Sequence, residues 1–237
     1  MSCETLKKKL LNLLFPIDCA GCGREDTWLC PDCLPNLPAY GNENCFFCGQ
    51  KYPLGKTCLV CASSHNLDGV FVCSDYKNKI IAGLIKKLKY SFASELGEVL
   101  GEIAVFFFKK LIAGEKLKKF NLADWQVSPI PLHKKRLNWR GFNQTKIIAE
   151  YFAKRLDLEY QDTLIRVKHK IPQARLNGAE RKENIKDCFA WTGKNLNKKN
   201  ILLIDDVATT GSTLNEAAII LKLAGAEKVW GLVIAKG

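Results

Sequence analysis

The stretch ILLIDDVATTGSTLNEAAIILKLAG occupies residues 201–225. Its four aliphatic residues run without a break into two adjacent acids. Small hydroxyl residues around Gly211 follow, and after them apolar residues recur at helical spacing. A short apolar run bounded by turn residues predicts a buried strand, and the later periodicity predicts a helix. The run EKVWGLVIAKG, residues 227–237, adds a turn and a second strand.

The same alternation extends upstream. GVFVCSDY (69–76) reads as a strand, and NKIIAGLIKKLKY (78–90) as a helix with Ile81, Leu84, Ile85 and Leu88 on one face. SFASELGEVLGEIAVFFFKKLIAG (91–114) predicts a longer helix, and FNQTKIIAEYFAKRLDL (142–158) another. WQVSPIPLH (125–133) is expected to be a short strand, interrupted by Pro129 and Pro131 and ending in a loop. Strands alternating with helices imply an α/β domain with a mostly parallel sheet. Such sheets bind ligands beyond the carboxyl ends of their strands, and there Asp205 and Asp206 fall.

Ala208, Thr209, Thr210, Gly211, Ser212 and Thr213 lead from the acids into the helix. Backbone N–H groups and the helix dipole make such a loop attractive to an anion. Hydroxyls add donors, and Gly211 permits close backbone approach. No lysine follows the glycine, so this is not a Walker loop. A phosphate there would lie beside two carboxylates, which suits a sugar phosphate with adjacent hydroxyls such as ribose 5-phosphate. The competing reading is an ordinary helix capped by Thr209 or Ser212, with the acids solvated.

Nine of the eleven cysteines lie in the first 61 residues. Eight form CxxC pairs: Cys19/Cys22, Cys30/Cys33, Cys45/Cys48 and Cys58/Cys61. Zinc takes four soft ligands in a tetrahedron, and each CxxC turn supplies two. The short gaps predict two successive zinc ribbons, the first two pairs on one ion and the last two on another. A crossed pairing, first with third, is the alternative. Disulfides would need a secreted protein, and no secretory signal is read in the N-terminal residues. Four-cysteine sites leave zinc no open position, so up to two structural ions are expected. Cys73 and Cys188 read as small apolar fillers, not nucleophiles.

At 237 residues and 47% apolar, the chain has room for a domain of 66–237 behind a zinc-binding segment of 1–65. No run of 18 apolar residues occurs, so no membrane span is expected. The formal charge of +12 invites anionic partners. Two four-thiolate zinc sites at −2 each would bring it to +8. Only Arg24, Lys51 and Lys56 are basic between Cys19 and Cys61, so the excess belongs to the second domain.

The strand, acid pair and TTGST loop resemble the phosphoribosyl pyrophosphate (PRPP) signature of type I phosphoribosyltransferases. PIPLHKKRLNWRGFNQ (129–144), PQARLNGAERKENIKDCFAW (172–191) and the CxxC-rich start resemble the ComF family of competence-related, phosphoribosyltransferase-like proteins. The resemblance covers nearly the whole chain. It implies a type I phosphoribosyltransferase-like sheet flanked by helices, behind a small zinc-ribbon domain. It implies that Thr209 to Thr213, with Ala208, hold a 5-phosphate, while Asp205 and Asp206 hold the ribose hydroxyls facing magnesium. Lys89, in LKY (88–90), would contact pyrophosphate. Arg136 and Arg140 would add charge to neutralise the leaving group. Arg140 to Gln144, with Gln173, Arg181 and Asn184, would border the cleft, and 166–186 would form a hood over it. His133 reads as a turn residue, and Lys134 to Arg136 read equally well as a solvated basic face.

Two functions follow from the resemblance. One is a cytoplasmic factor of DNA uptake that binds PRPP with magnesium and handles single-stranded DNA, in peripheral association with uptake machinery. Tyr90, Phe92, Trp139 and Phe142 would stack on bases. The other is a phosphoribosyltransferase of nucleotide salvage, carrying out pentosyl transfer.

Overall fold

The computed structural model describes residues 17–90, 94–113, 121–167 and 188–237. Five strands form one all-parallel sheet in the order β1-β7-β6-β2-β3. These are β1 (Gly69–Asp75), β2 (Trp125–Pro129), β3 (Glu159–Tyr160), β6 (Asn200–Ala208) and β7 (Val229–Lys236). The near-continuous burial of β1, β2 and β7 explains why the sequence shows apolar runs instead of alternation: both faces are covered. On one face pack α1 (Lys79–Tyr90), α2 (Glu95–Ala113) and α4 (Gln144–Leu156). On the other lies α5 (Ser212–Leu223), with a small antiparallel arm of β4 (Leu164–Arg166) and β5 (Phe189–Trp191).

The pleat divides β6 between these faces. Ile201 and Leu203 join the α5 side of the core, whereas Leu202 and Ile204 join the α1–α2–α4 side. Extended to the next two residues, the same alternation sends the two acids to opposite faces.

The stretch 125–133 ends in a loop as expected, and residues 134–140, for which the sequence offered no expectation of secondary structure, form α3 (Lys134–Arg140). His133 Nδ1 accepts a hydrogen bond from the Lys135 N–H at 3.2 Å and caps it, and Gly141 ends it in the left-handed region at φ 79°. Seven residues carry too little periodicity to announce a helix, whereas its caps are local and readable.

The N-terminal segment is built into the sheet domain. Strand β1 is an edge, and Asn42 covers it by mimicking a strand: its side chain accepts from Val72 N–H and donates to Val72 O, each at 2.9 Å. Tyr40 N–H donates to Cys73 O at 2.9 Å, and Ser74 Oγ donates to Pro38 O at 2.9 Å. A covered edge is a protected edge. Leu37 and Leu54 from this segment enter the same core as Phe71 and Ile81.

Candidate functional site

Two four-cysteine groups come together: Cys19, Cys22, Cys30 and Cys33 in one, Cys45, Cys48, Cys58 and Cys61 in the other. Within each, all four sulfurs lie within 4.8 Å of one another. The Cys22–Cys30 and Cys48–Cys58 sulfurs are 3.6 and 3.7 Å apart. A tetrahedron with arms of about 2.3 Å has edges of about 3.8 Å, so both groups fit zinc. The successive pairing is the one formed; the crossed pairing is not.

The two groups repeat one local design. Gly23 N–H donates to Cys19 O and Gly49 N–H to Cys45 O, each at 2.9 Å, with both glycines at positive φ. Cys30 N–H points at Cys19 Sγ (3.3 Å) and Cys58 N–H at Cys45 Sγ (3.5 Å). Burial opposes ionisation of Cys19 and Cys45, but these amide donors outweigh it and bring both thiols to about 6. Such sulfurs are prepared to act as thiolates. Cys73 and Cys188, which belong to no CxxC pair, are fully buried elsewhere.

At the end of β6 the two acids have different surroundings. Asp206 is 4% exposed and sits on the α1–α4 side. Lys89 Nζ lies 2.8 Å from its Oδ2, and Gln144 Nε2 donates to the same oxygen at 3.0 Å. Arg140 Nη1 donates in turn to Gln144 Oε1. Burial disfavours the charged form of Lys89, but the Asp206 charge prevails and holds its pKa above the usual lysine value. Arg140 is pulled below the usual range by burial, with Asp206 opposing. Its Nε is buried without a hydrogen-bond partner, an unmet donor beside the site.

Asp205 faces the loop. It lines a small cleft with Val207 and residues 208–214, which brings Ala208, Thr209, Thr210, Gly211, Ser212 and Thr213 around one carboxylate. Gly211 stands at the N-cap of α5 with φ 74° and supplies no capping side chain, while the Ser212 N–H points at Thr210 Oγ1 at 3.4 Å. Thr210 and Ser212 hydroxyls are hydrogen-bonded to each other at 2.7 Å. Burial and the neighbouring Asp206 charge push Asp205 up to about 7; the Asp206 N–H, Lys89 and Arg166 pull the other way.

This raised value makes a prediction. The folded-state pKa lies above the unfolded one, so the folded chain binds the proton more tightly. The resulting stabilisation is complete below about pH 4 and is lost as pH rises through 7. Asp205→Asn, neutral throughout, should melt like the wild type at pH 4 and higher at pH 8. The rise would be about 2–4 °C per kcal/mol of relieved burial cost. Equal melting temperatures at pH 8 would contradict the raised pKa of Asp205.

The relatives of the chain bear on these two features. Competence protein F of Haemophilus influenzae is 36% identical over 210 residues, covering 86% of this chain and 89% of the relative. The chain belongs to the competence protein F (ComF) family. Competence protein ComFC of Streptococcus pneumoniae is 30% identical over 216 residues, 86% of each chain. The DNA utilization protein YhgH of Escherichia coli K12 is 29% identical over 218 residues, 90% of this chain and 87% of that one. No protein-family model matches the chain. The hypoxanthine-guanine phosphoribosyl transferase of L. donovani aligns over 59% of this chain and 67% of its own. Its TM-score of 0.35 and 11% identity are too slight a likeness to build on.

In this ComF chain the remaining expected residues have separate settings. Tyr90 and Trp139, 65% and 57% exposed, meet edge to face at 6.4 Å, next in sequence to Lys89 and Arg140. Phe142 is half-buried against the core. Arg136 is half-buried and opposes the charge of Arg140 and Arg166. Phe92, Gln173, Arg181, Asn184 and the hood from residue 168 onward lie outside the described residues. Gln144 was expected only at the cleft border, yet it joins Asp206 to Arg140. Phe46 and Phe47 drew no notice in the sequence, although the second knuckle carries them where the first has Ala20 and Gly21. Among the described residues no helix is long and apolar enough to cross a membrane.

Proposed function

We propose that this ComF protein serves DNA uptake in the cytoplasm, binds PRPP with magnesium in the cleft at Asp205, and handles single-stranded DNA on the adjoining surface. The observation that carries the reading is the convergence of the Asp205 carboxylate, the hydroxyl-rich loop and the glycine-started N-terminus of α5 in one cleft. The names of the relatives, competence and DNA utilization, support the DNA-uptake part.

The residues fit the ligand. The amides and hydroxyls of Thr209 to Thr213 take the 5-phosphate, and Asp205 accepts from the ribose hydroxyls. Lys89 and the unmet donor of Arg140 stand ready for pyrophosphate oxygens. Magnesium, a hard cation held by a carboxylate and substrate oxygens, supplies charge neutralisation when bound. Asp206 holds Lys89 and, through Gln144, Arg140, so its part is to orient the cations. Zinc in the two cysteine groups is structural.

Tyr90 and Trp139 offer exposed π-faces beside Lys89 and Arg140, which suits stacking of unpaired bases. A labelled single strand, followed by fluorescence anisotropy, tests this part. Binding should weaken steeply with salt, lose about 1–3 kcal/mol per stacked base on Tyr90→Ala or Trp139→Ala, and respond to PRPP with magnesium. Salt-independent binding, or none, would remove the DNA surface from the reading.

A second reading has its own support. A cavity of about 770 Å³ opens between α3, the start of α4 and β4, and Arg166 lines it. That volume accommodates a nucleobase, which favours pentosyl transfer to a nitrogenous acceptor in salvage. Pyrophosphate release with an added base would establish it.

A further inference from the structure

We infer that Phe46 and Phe47 are positioning residues for the Gly211 loop, so that metal in the second cysteine group and ligand on the loop stabilise one another. The inference rests on the proposed phosphate role of the loop and assigns the second knuckle a part in it.

The contact is close and two-sided. A Cβ built on Gly211 would lie 2.9 Å from Phe46 Cε1 and 3.0 Å from Phe47 Cε1, nearer than side-chain packing allows. The loop backbone therefore rests directly on the two rings, at the residue that caps α5. Both rings come from the turn between Cys45 and Cys48, where a bound metal would fix the backbone on either side. They meet edge to face, centroids 5.8 Å apart at 84°.

Other contacts hold the rings in place. Phe47 stacks on His65 at 3.8 Å and 25°, just beyond the last cysteine of the group. Lys236 Nζ, at the end of β7, donates to Phe46 O at 3.2 Å and lies 4.4 Å from the Phe46 ring centre. On the far side of the loop, Asn66 N–H donates to Asn215 Oδ1 at 2.7 Å, fastening the exit of the metal segment to the first turn of α5. The phosphate loop is thus held from behind by a metal knuckle and from the side by its exit segment. Removing the metal would free the turn that carries both rings, and an anion that orders the loop would press back on the knuckle. Such coupling is reciprocal.

The test uses the full zinc-loaded chain. Calorimetric titration of PRPP with magnesium compares the wild type with Phe46→Ala/Phe47→Ala, each with its zinc content measured. Release of zinc to a chromogenic chelator is followed with and without PRPP, and also in Gly211→Val without ligand. Coupling predicts about tenfold weaker PRPP binding in the double variant with two zinc ions retained, and restored binding in Phe46→Leu/Phe47→Leu. It also predicts slower release of one zinc equivalent when PRPP is bound, and faster release in Gly211→Val. If the double variant fails to load zinc, the two release comparisons decide alone. Equal affinities together with release rates indifferent to PRPP would overturn the inference. A wild type that takes up no PRPP would instead overturn the phosphoribosyl reading. The Gly211→Val comparison would then still decide the coupling, and an unchanged rate would end it.

Discussion

Stripping both cysteine groups with a chelator is expected to unfold the N-terminal segment while the parallel sheet stays folded. The second group has almost no apolar core of its own: Cys45, Cys58 and Cys61 cluster with only Phe47 and Tyr52. So small a cluster adds little to what Leu37, Phe46 and Leu54 bury in the cores of the sheet domain, and metal binding supplies most of the local ordering of each knuckle, on the order of 10 kcal/mol per site. Thiol titration reads the result directly. The eight cysteines of the two groups should become reactive after chelation, whereas Cys73 and Cys188, 1% and 0% exposed, stay protected. Loss of Tyr40 and Asn42 from the edge of β1 should also leave an open strand, and the stripped protein should aggregate at lower concentration than the loaded one. No gain in reactive thiols on chelation would mean that the segment stands without metal.

Replacing Asp206 by alanine has the next largest effect, about 3–5 kcal/mol of stability. The carboxylate is nearly buried and pairs with Lys89, whose side chain is 22% exposed. Without it an ammonium group is left in poor solvation, and the Gln144 amide loses its acceptor. Lys89→Met in the Asp206→Leu background should return most of the loss, because two apolar side chains of similar size replace a buried ion pair. Urea denaturation of the four members of this cycle measures the coupling. A cost below about 1 kcal/mol for Asp206→Ala would place the pair in solvent, where ion pairs contribute that little. For the same reason, Asp206 variants are poor probes of ligand binding and Asp205→Asn is the better one.

The sequence carried much of this architecture because its signals were local. The aliphatic run before the acids, the helical spacing of Ile81, Leu84, Ile85 and Leu88, and the four CxxC pairs each need only a few neighbouring residues to be read. The structure places those four helix residues in the core and pairs the cysteines in succession. What stayed hidden depends on long-range contacts. Adjacent aspartates look equivalent in a sequence, but the pleat turns one to α1 and α4 and the other to the loop. The link from Asp206 through Gln144 to Arg140 spans 62 residues at its longer step. The contact of Phe46 and Phe47 with Gly211 joins residues from opposite ends of the chain. Only the contrast between the CAGC and CFFC knuckles could have hinted at it.

The central claim is that the cleft at Asp205 holds PRPP with magnesium. Isothermal titration of PRPP and magnesium into the zinc-loaded chain, beside Asp205→Asn, tests it most directly. Saturable one-to-one binding, weakened at least tenfold in Asp205→Asn while its melting temperature at pH 8 does not fall, is the predicted result. Binding of the same strength in wild type and variant, or no binding to either, would contradict it.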